Sequence, residues 1–506
     1  MASLSNLSRV ALKFQPKNVA VRCLSASRAW NAAASTQTTK SKKTLARPDV
    51  RNVVLVEGVR TPFLQSGTEY KDLMPHNLAT KSLVGLMKKT GVEKEIIDYV
   101  VYGTVIQEVK TSNIAREAML SAGFSDKTPA HTVTQACISS NQAITTGVGL
   151  IAAGQCDAVI AGGVEFMSDV PIRHSRKMRK IMLDFNKAKT PAKKWNLVKK
   201  MMNGAVWMPE LPAVAEFSSG ETMGHSADRL CTAFGVTRQA QDEFAVRSHT
   251  LAQEATEKGY LTDILPYKVP NVANYVTKDN GIRPSSIEQM AKLKPAFIKP
   301  YGTITAANAS FLTDGASACL IMSEEKALAL GLKPKAYLRD FVYVSQDPKD
   351  QLLLGPAYAT PKVLEKSGLK MSDIDVFEYH EAFAGQILAN LTALDSDIFA
   401  KNFLGKSTKV GTPNVHLAKR DSTIATTRQY VGKVRQYDGD SRYNGDSRAS
   451  PSYTVSLHHR NVTVALSHFA ICPVLPACGS TEEARGVAKS MFCAQTDFEK
   501  CSTCLS

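Results

Sequence analysis

The chain has 506 residues, of which 44% are hydrophobic and 21% are charged, and its formal net charge is +16. This length gives room for two or three domains with a sizeable core, and the composition is ordinary for a globular protein. The ten cysteines show no framework spacing, which excludes a disulfide scaffold, and no uninterrupted apolar run reaches about 18 residues, which excludes an ordinary transmembrane helix.

Residues 1–45 have the composition of a mitochondrial presequence. No Asp or Glu precedes Asp49, while Arg9, Lys13 and Arg22 lie among Leu, Val, Phe, Ala and Ser. A basic, serine-rich segment without acidic residues is typical of a mitochondrial transit peptide, whereas a secretory signal has a continuous apolar core. The alternative is a disordered basic tail that binds nucleic acid.

Apolar strands alternate with helical patterns in the first half of the chain. Strand-like runs occupy residues 53–59, 99–105 and 158–163, and helical patterns occupy residues 77–90 and 138–153. This alternation predicts βαβ units and a largely parallel sheet, which places the protein in the α/β class.

Cys137 lies near the start of a stretch without fixed charges between Lys127 and Asp157. The small and apolar residues that follow predict a helix over residues 138–153 that is buried on all sides and ends at Gly154. At the N-terminus of such a helix, unpaired N–H groups and the helix dipole favour an anion and can lower the pKa of a thiol. Cys137 is therefore either a nucleophile or a buried structural cysteine.

Residues 169–300 form an insertion that begins with a strongly basic segment. Its cations are Arg173, Arg176, Lys177, Arg179, Lys180, Lys187, Lys189, Lys193, Lys194, Lys199 and Lys200. Apolar residues recur at helical spacing on both sides of Pro191, which predicts two short amphipathic helices with a bend. The hairpin either lies in a membrane interface with anionic lipid such as cardiolipin, or packs its apolar stripe on a partner subunit. Nucleic-acid binding is not expected, since no aromatic stacking platform accompanies the charge.

Four segments resemble motifs of the thiolase family. Residues 135–143, Gln-Ala-Cys-Ile-Ser-Ser-Asn-Gln-Ala, resemble its acyl-accepting cysteine motif, and residues 54–63 resemble its first strand and Arg-Thr-Pro turn. Residues 305–316 resemble the loop that closes over coenzyme A. Residues 378–384 match the block usually written Asn-Glu-Ala-Phe, with His380 in place of the Asn.

The resemblance covers about residues 50–413 and implies a duplicated α/β thiolase fold of five layers, α-β-α-β-α, with an inserted loop domain. The second half is expected to open near Lys335 and to include residues 375–380 as a central strand. The implied segments are the presequence (residues 1–45), the first half (50–168), the insertion (169–300), the end of the first half with the coenzyme A loop (301–330), the partial second half (335–413) and a divergent tail (414–506).

The same resemblance assigns the chemistry. Cys137 is expected to attack a 3-ketoacyl-CoA and to carry the acyl group as a thioester, and His380 to help form the oxyanion hole. Without the motif, His380 would be read as a buried, hydrogen-bonded histidine. Met223 resembles the methionine of the pocket wall, and Ser310 resembles a contact to the pantetheine of coenzyme A. Coenzyme A is expected as a substrate, and neither a tightly bound cofactor nor a metal is expected.

His380 and residues 164–176 point to one branch of the family, the long-chain 3-ketoacyl-CoA thiolases that form the β subunit of a mitochondrial complex. That branch catalyses the last step of mitochondrial fatty acid β-oxidation, in which coenzyme A cleaves a long-chain 3-ketoacyl-CoA to acetyl-CoA and a shortened acyl-CoA. It implies an α-subunit partner, a thiolase-type dimer and a location on the matrix side of the inner mitochondrial membrane.

The resemblance stops at about Asn414. Members of the family continue with a Gly-His-Pro segment that supplies a catalytic histidine and a Cys-x-Gly segment that supplies a second cysteine, and neither occurs here. The base that activates Cys137 and the acid that protonates the acetyl enolate therefore have no assigned residue, and the second half is expected to be incomplete. Two functions stay open: an active acetyl-CoA C-acyltransferase, or a catalytically impaired subunit that binds acyl-CoA, membrane or the α subunit.

Overall fold

The computed structural model describes residues 50–412, apart from residues 213, 214 and 375, and the backbone of one strand at residues 463–465. The described strands are β1 (Val53–Arg60), β2 (Leu64–Gln65), β3 (Tyr99–Gly103), β4 (Ala130–Val133), β5 (Ala158–Glu165), β6 (Thr313–Ser323), β7 (Ala336–Tyr337), β8 (Val376–Glu378) and β9 (Thr463–Ala465). The described α-helices are α1 (Pro75–Thr90), α2 (Ile114–Ser121), α3 (Ser139–Ala152), α4 (Arg176–Lys187), α5 (Pro191–Met201), α6 (Met223–Ala233), α7 (Arg238–Glu257), α8 (Ile287–Ala291), α9 (Glu324–Ala329), α10 (Gly355–Ser367), α11 (Ala384–Leu394) and α12 (Asp397–Phe403). The predicted presequence and, apart from β9, the predicted tail lie outside the described residues.

Seven of the described strands form one mixed sheet in the order β4-β3-β5-β6-β1-β7, with β2 paired to β6. β3 runs parallel to β4 and β5, as the alternation of strands and helices predicts. The prediction of a largely parallel sheet is wrong at the centre, because β6 returns from the insertion and pairs antiparallel with both β5 and β1. β7, near the expected opening of the second half, pairs antiparallel with β1 and extends this sheet.

Helices cover both faces of the sheet. α1 and α2 pack on one face, where Leu83 and Met119 join Ile160 in a buried cluster. α3 packs on the other face, where Ile151 joins Val159. The predicted buried strand is confirmed, since β5 is buried along its whole length and sends alternate side chains into the two clusters.

The helix predicted after Cys137 is present as α3, but it is not buried on all sides. Gly154 follows its last turn with a φ of 71°, a left-handed conformation that glycine adopts without strain. Gly149 is exposed and Leu150 only half-buried, so that only one face of the helix lies on the sheet. The prediction failed because small residues mark a close approach to one neighbour as readily as burial on every side.

The predicted basic hairpin is present as α4 and α5, with Pro191 in the first turn of the second helix. Ser175 and Thr190 cap the two helices by accepting backbone N–H groups. The apolar stripe is only partly covered, because Met178 is buried while the Trp195 side chain is exposed.

The C-terminal half is described as far as residue 412. α7, α10 and α11 enclose one buried cluster that contains Phe244, Leu364 and Ile387. β8 lies within the strand predicted for residues 375–380 and pairs in parallel with β9, and within the described residues this second sheet has no further strand. The domain boundaries and the incomplete second half stay predictions.

Arg60, at the end of β1, joins the sheet to the insertion through buried ion pairs. Its side chain is 7% exposed, and its Nε atom donates to Asp263 at 2.8 Å. Its two terminal nitrogens donate to both carboxylate oxygens of Asp279 at 2.7 and 2.8 Å. Burial alone would lower the pKa of Arg60, but the two carboxylates outweigh burial and raise it. The guanidinium therefore neutralises two carboxylates beside the sheet.

We predict that Arg60→Met lowers the free energy of unfolding by about 3 kcal/mol or more, because it leaves uncompensated carboxylates in a poorly solvated place. Urea denaturation of the purified protein measures this change. Arg51→Met is the matched control. Arg51 pairs with Asp157, and their side chains are 34% and 47% exposed. Such a pair is worth under about 1 kcal/mol. Equal losses in the two variants would contradict the structural role of Arg60.

Candidate active site

Cys137 lies in a tight turn immediately before α3. The preceding residue, Ala136, has a φ of 45°, a left-handed conformation that is uncommon outside glycine. The Ser139 hydroxyl stabilises this turn, because it donates to the carbonyl of Ala136 at 2.7 Å and accepts the N–H of Gln135 at 2.8 Å. The side chain of Cys137 is half-buried at the N-terminal end of the helix.

Two glycines let the strands approach this helix end. A Cβ atom at Gly103, the last residue of β3, would lie 2.3 Å from the Ser139 carbonyl carbon. A Cβ atom at Gly163, on β5, would lie 1.9 Å from the Ser140 hydroxyl oxygen. Real side chains do not tolerate such distances, so only glycine at both positions lets the helix carrying Cys137 sit directly on the strand ends.

Glu165 lies beside Cys137, and the sequence analysis assigned it no role. It is 2% exposed and closes β5, and its two carboxylate oxygens accept the N–H groups of Val105 at 2.7 Å and Ile106 at 3.0 Å. Burial raises its pKa to about 8, the two N–H groups oppose that rise, and the charges of Cys137 and Asp314 add to it. The signal in the sequence was a single acidic residue at the end of an apolar strand.

Cys137 also belongs to an apolar cluster that gathers the other predicted site segments. Met223, at the start of α6, and the buried Ile304 are members. So are Ala382 and Phe383, from the block that contains His380. The structure therefore brings the predicted pocket-wall methionine and the His380 block to the cysteine, although they are far apart in the chain.

His380 lies two residues after β8 and is half-buried. Its Nε2 atom is buried and has no hydrogen-bond partner among the described residues. A buried polar atom without a partner is costly in a folded protein, and a bound ligand is one way in which its hydrogen-bonding capacity is satisfied. The role of His380 in an oxyanion hole stays a prediction, as does the alternative of a structural histidine.

Ser310 is bound to the same block. Its backbone N–H and its hydroxyl both donate to the carbonyl of Ala382, at 2.9 and 3.0 Å. The neighbouring Ala309 forms a β-bridge with Phe383. The loop that resembles the coenzyme A loop and the His380 block thus form one unit, and the contact of Ser310 with pantetheine stays a prediction.

The other described cysteines are poor nucleophiles by their surroundings. Burial raises the pKa of Cys156, and it raises the pKa values of Cys231 and Cys319 to about 12. None of the four described cysteines forms a disulfide with another of them. Of these four, Cys137 is the only one that is not fully buried.

The described residues contain no group of three or more His, Cys, Asp or Glu side chains placed to hold a metal ion. Cys501 and Cys504, whose Cys-x-x-Cys spacing could suggest a zinc site, lie outside the described residues. No helix in the described part of the chain is long and apolar enough to cross a membrane.

Two family models match the chain. The model of the thiolase N-terminal domain matches residues 53–325, and the model of the thiolase C-terminal domain matches residues 332–423. The chain belongs to the thiolase family. The predicted family is thereby confirmed. The match to the C-terminal model ends at residue 423, ten residues beyond residue 413, where the resemblance to the family motifs was expected to stop.

Individual relatives agree with this assignment. The mitochondrial trifunctional enzyme subunit beta of Homo sapiens is 69% identical over 411 residues, which cover 81% of this thiolase and 85% of the relative. The same subunit of Bos taurus is 68% identical over 413 residues, covering 82% and 85%. A probable 3-ketoacyl-CoA thiolase of Caenorhabditis elegans is 58% identical over 378 residues, covering 74% and 84%.

Solved structures confirm the α/β thiolase fold. Human mitochondrial 3-ketoacyl-CoA thiolase is 29% identical with a TM-score of 0.59, and the match covers 72% of this thiolase and 88% of that chain. The same enzyme in complex with CoA gives a TM-score of 0.59 at 29% identity, covering 74% and 89%.

We predict that Cys137 is the reactive thiol. Substoichiometric iodoacetamide at neutral pH should label Cys137 ahead of Cys156, Cys231 and Cys319, because it is the least buried of the four and lies at a helix N-terminus. Peptide mass spectrometry measures the labelling at each position. Labelling of Cys137 alone should fall when acyl-CoA is present, and equal labelling of all four thiols, unaffected by acyl-CoA, would remove Cys137 as the nucleophile.

Proposed function

We propose that this thiolase catalyses the cleavage of a long-chain 3-ketoacyl-CoA by coenzyme A to acetyl-CoA and a shortened acyl-CoA, the last step of mitochondrial fatty acid β-oxidation. The observation that carries the proposal is the position of Cys137, at a helix N-terminus in an apolar cluster that includes segments of the His380 block. The names of the relatives, trifunctional enzyme subunit beta and 3-ketoacyl-CoA thiolase, support the same substrate class.

Cys137 acts as the nucleophile in two acyl-transfer steps. Its thiolate attacks the 3-keto carbon, the bond between C2 and C3 breaks, and acetyl-CoA leaves as an enolate that takes up a proton. The acyl group stays on Cys137 as a thioester until the thiol of coenzyme A attacks it. Covalent catalysis of this kind divides one difficult step into two easier ones.

His380 stabilises the oxyanion. An N–H on its Nε2 atom would donate to the oxygen that becomes negative when the carbonyl is attacked, and that atom has no competing partner among the described residues. Removing one such donor typically lowers kcat by about 10²–10³-fold. The donor is buried, so water weakens the interaction less than it would at the surface.

The apolar cluster around Cys137 suits an alkyl chain. Phe297 and Leu353 extend the wall formed by Met223 and Phe383. Each methylene group that such a wall takes from water contributes about 0.8 kcal/mol. Coenzyme A enters as a second substrate, with Ser310 as the contact to its pantetheine arm, and no tightly bound cofactor takes part.

The acid and the base of the reaction have no residue assigned from the family motifs. This fact supports the alternative function, a catalytically impaired subunit that binds acyl-CoA, membrane or an α subunit. The names of the relatives favour the enzyme over this alternative. A turnover measurement on the chain as it stands decides between the two.

We predict that the chain, purified with its α subunit, forms acetyl-CoA from 3-ketohexadecanoyl-CoA and coenzyme A, and that Cys137→Ala abolishes this activity. His380→Ala should lower kcat by about 10²–10³-fold through loss of the oxyanion donor. His380→Asn is the matched control, because Asn is the usual residue of the family block and keeps an N–H donor, so it should retain most of the activity. Equal rates for the Ala and Asn variants would contradict the role of His380.

A second arm tests the missing acid and base. A hybrid that carries a family-type C-terminus with the Gly-His-Pro and Cys-x-Gly segments is assayed beside the natural chain. Comparable rates would show that this chain supplies both proton-transfer roles itself. The impaired subunit would be established instead if the natural chain acylates Cys137 once without turnover and the hybrid turns over about 10²-fold faster or more.

We further propose that the protein binds an α subunit, forms a thiolase-type dimer, and lies on the matrix side of the inner mitochondrial membrane through its basic hairpin. The relatives are named as mitochondrial and as the beta subunit of a trifunctional enzyme. In the hairpin, Leu183 and Trp195 are each 60% exposed, and Met202 is 81% exposed. Exposed apolar side chains among lysines are typical of a helix pair that lies in the headgroup region of anionic lipid.

We predict that changing Lys193, Lys194, Lys199 and Lys200 together to Gln weakens binding to vesicles that contain cardiolipin, because each cation near anionic lipid contributes about 1 kcal/mol. Co-sedimentation at low and high salt measures the binding. The matched control changes four exposed lysines outside the hairpin, at positions Lys71, Lys88, Lys127 and Lys349. Equal loss in the two variants would reduce the effect to net charge, and unchanged binding would indicate that the hairpin faces a partner subunit.

A further inference from the structure

Glu165 is a buried acid that shares a small cavity with Cys137. The cavity is lined by the end of β3, by the turn before α3 and by the end of β5. Its lining residues include Thr104 and Val105 from the first of these segments, Cys137 from the second, and Val164 and Glu165 from the third. A carboxyl group in the same cavity as a thiol acts on that thiol electrostatically. The protonation state of Glu165 therefore affects the ionisation of Cys137.

The carboxyl group is held in place on both sides. One oxygen accepts the N–H of Val105 and the other accepts the N–H of Ile106, so the group cannot rotate away without losing both bonds. Gly103 and Gly163 let the same strand ends lie close to the helix that follows Cys137. These contacts place the Glu165 carboxyl group in the cavity that Cys137 also lines.

The titratable groups around Glu165 oppose its ionisation. Cys137, from the turn before α3, and Asp314, at the start of β6, both act on it as negative charges. Two further titratable groups lie on the neighbouring strands: Tyr102 of β3, which hydrogen-bonds the Ser82 hydroxyl of α1, and the buried Cys319 of β6. Burial, together with the charges of Cys137 and Asp314, raises the pKa of Glu165 to about 8, so at neutral pH the carboxyl group is mostly protonated.

We propose that Glu165 is a positioning residue that controls the reactivity of Cys137: the neutral carboxyl group permits the thiolate, and the carboxylate suppresses it. The inference rests on the proposed role of Cys137 as nucleophile. The repulsion is reciprocal, because a thiolate that disfavours the carboxylate is disfavoured by it to the same extent. While Glu165 keeps its proton, ionisation of the Cys137 thiol places one negative charge in the cavity. Above about pH 8 the carboxylate forms, and ionisation of the thiol then requires a second negative charge in the same cavity.

The test is the pH profile of Cys137 alkylation by iodoacetamide, followed by peptide mass spectrometry from pH 6 to pH 10. We expect Glu165→Gln to react within about twofold of the natural protein at pH 7 and about fivefold faster or more at pH 9.5, because the variant never acquires the opposing charge. Asp314→Asn is the comparison variant: because the charge of Asp314 raises the pKa of Glu165, its loss should move the suppression of Cys137 to lower pH and give no acceleration at pH 9.5. It also removes a buried carboxylate that accepts two backbone N–H groups, those of Met167 and Ser168, but it does not line the cavity.

The proposal is overturned, and Glu165 is a structural residue only, if the ratio of the Cys137 alkylation rates of Glu165→Gln and the natural protein is the same at pH 7 and pH 9.5. It is also overturned if Asp314→Asn shows the same acceleration at pH 9.5 as Glu165→Gln. If Glu165→Gln does not fold, the natural protein decides: a profile that requires two ionisations supports the proposal, and one that fits a single ionisation overturns it.

The outcome for Glu165 is separable from the outcome for the proposed function. If Cys137 is not labelled ahead of the other thiols in the natural protein, the nucleophile is wrong and the proposed function fails with it. If Cys137 is labelled first but its pH profile does not respond to Glu165→Gln, only the inference about Glu165 fails.

Discussion

The close approach of α3 to the ends of β3 and β5 is the contact on which the site depends. Gly103 and Gly163 make it possible, since any side chain at either position would collide with Ser139 or Ser140. The contact places the helix N-terminus, and with it Cys137, directly over the sheet. A strained turn at Ala136 is then sustained by packing and by the Ser139 hydroxyl, in the way that functional sites generally sustain unusual backbone conformations.

The nucleophile and the other predicted site residues come from different parts of the fold. The turn of Cys137 lies between β4 and α3, and the cavity beside it is lined by the ends of β3 and β5, all within the first half of the chain. His380 and Ser310 belong to a second unit, held together by bonds between the coenzyme A loop and the block that follows β8. The two units meet in the apolar cluster around Cys137, so apolar packing contributes to the placement of Cys137 relative to the block that contains His380.

Local patterns predicted the first unit well and its long-range contacts poorly. The charge-free stretch after Cys137 predicted the helix, and the basic segment around Pro191 predicted the hairpin, because both depend on periodicity within one segment. The antiparallel return of β6 and the pairing of Arg60 with Asp279 could not be predicted in this way, since Asp279 is 219 positions away from its partner. Glu165 was missed for the same reason: its importance lies in the cavity, and the cavity exists only after folding.

The proposed nucleophile, Cys137, lies in the first half of a chain whose tail lacks the Gly-His-Pro and Cys-x-Gly segments of the family. The helix N-terminus and Glu165, which are proposed to govern the ionisation of its thiol, belong to the same half of the chain. Protonation of the leaving enolate does require an acid that reaches the substrate. The loss of the family C-terminus should therefore affect the departure of acetyl-CoA, and with it the formation of the thioester, more than the attack of Cys137 on the substrate.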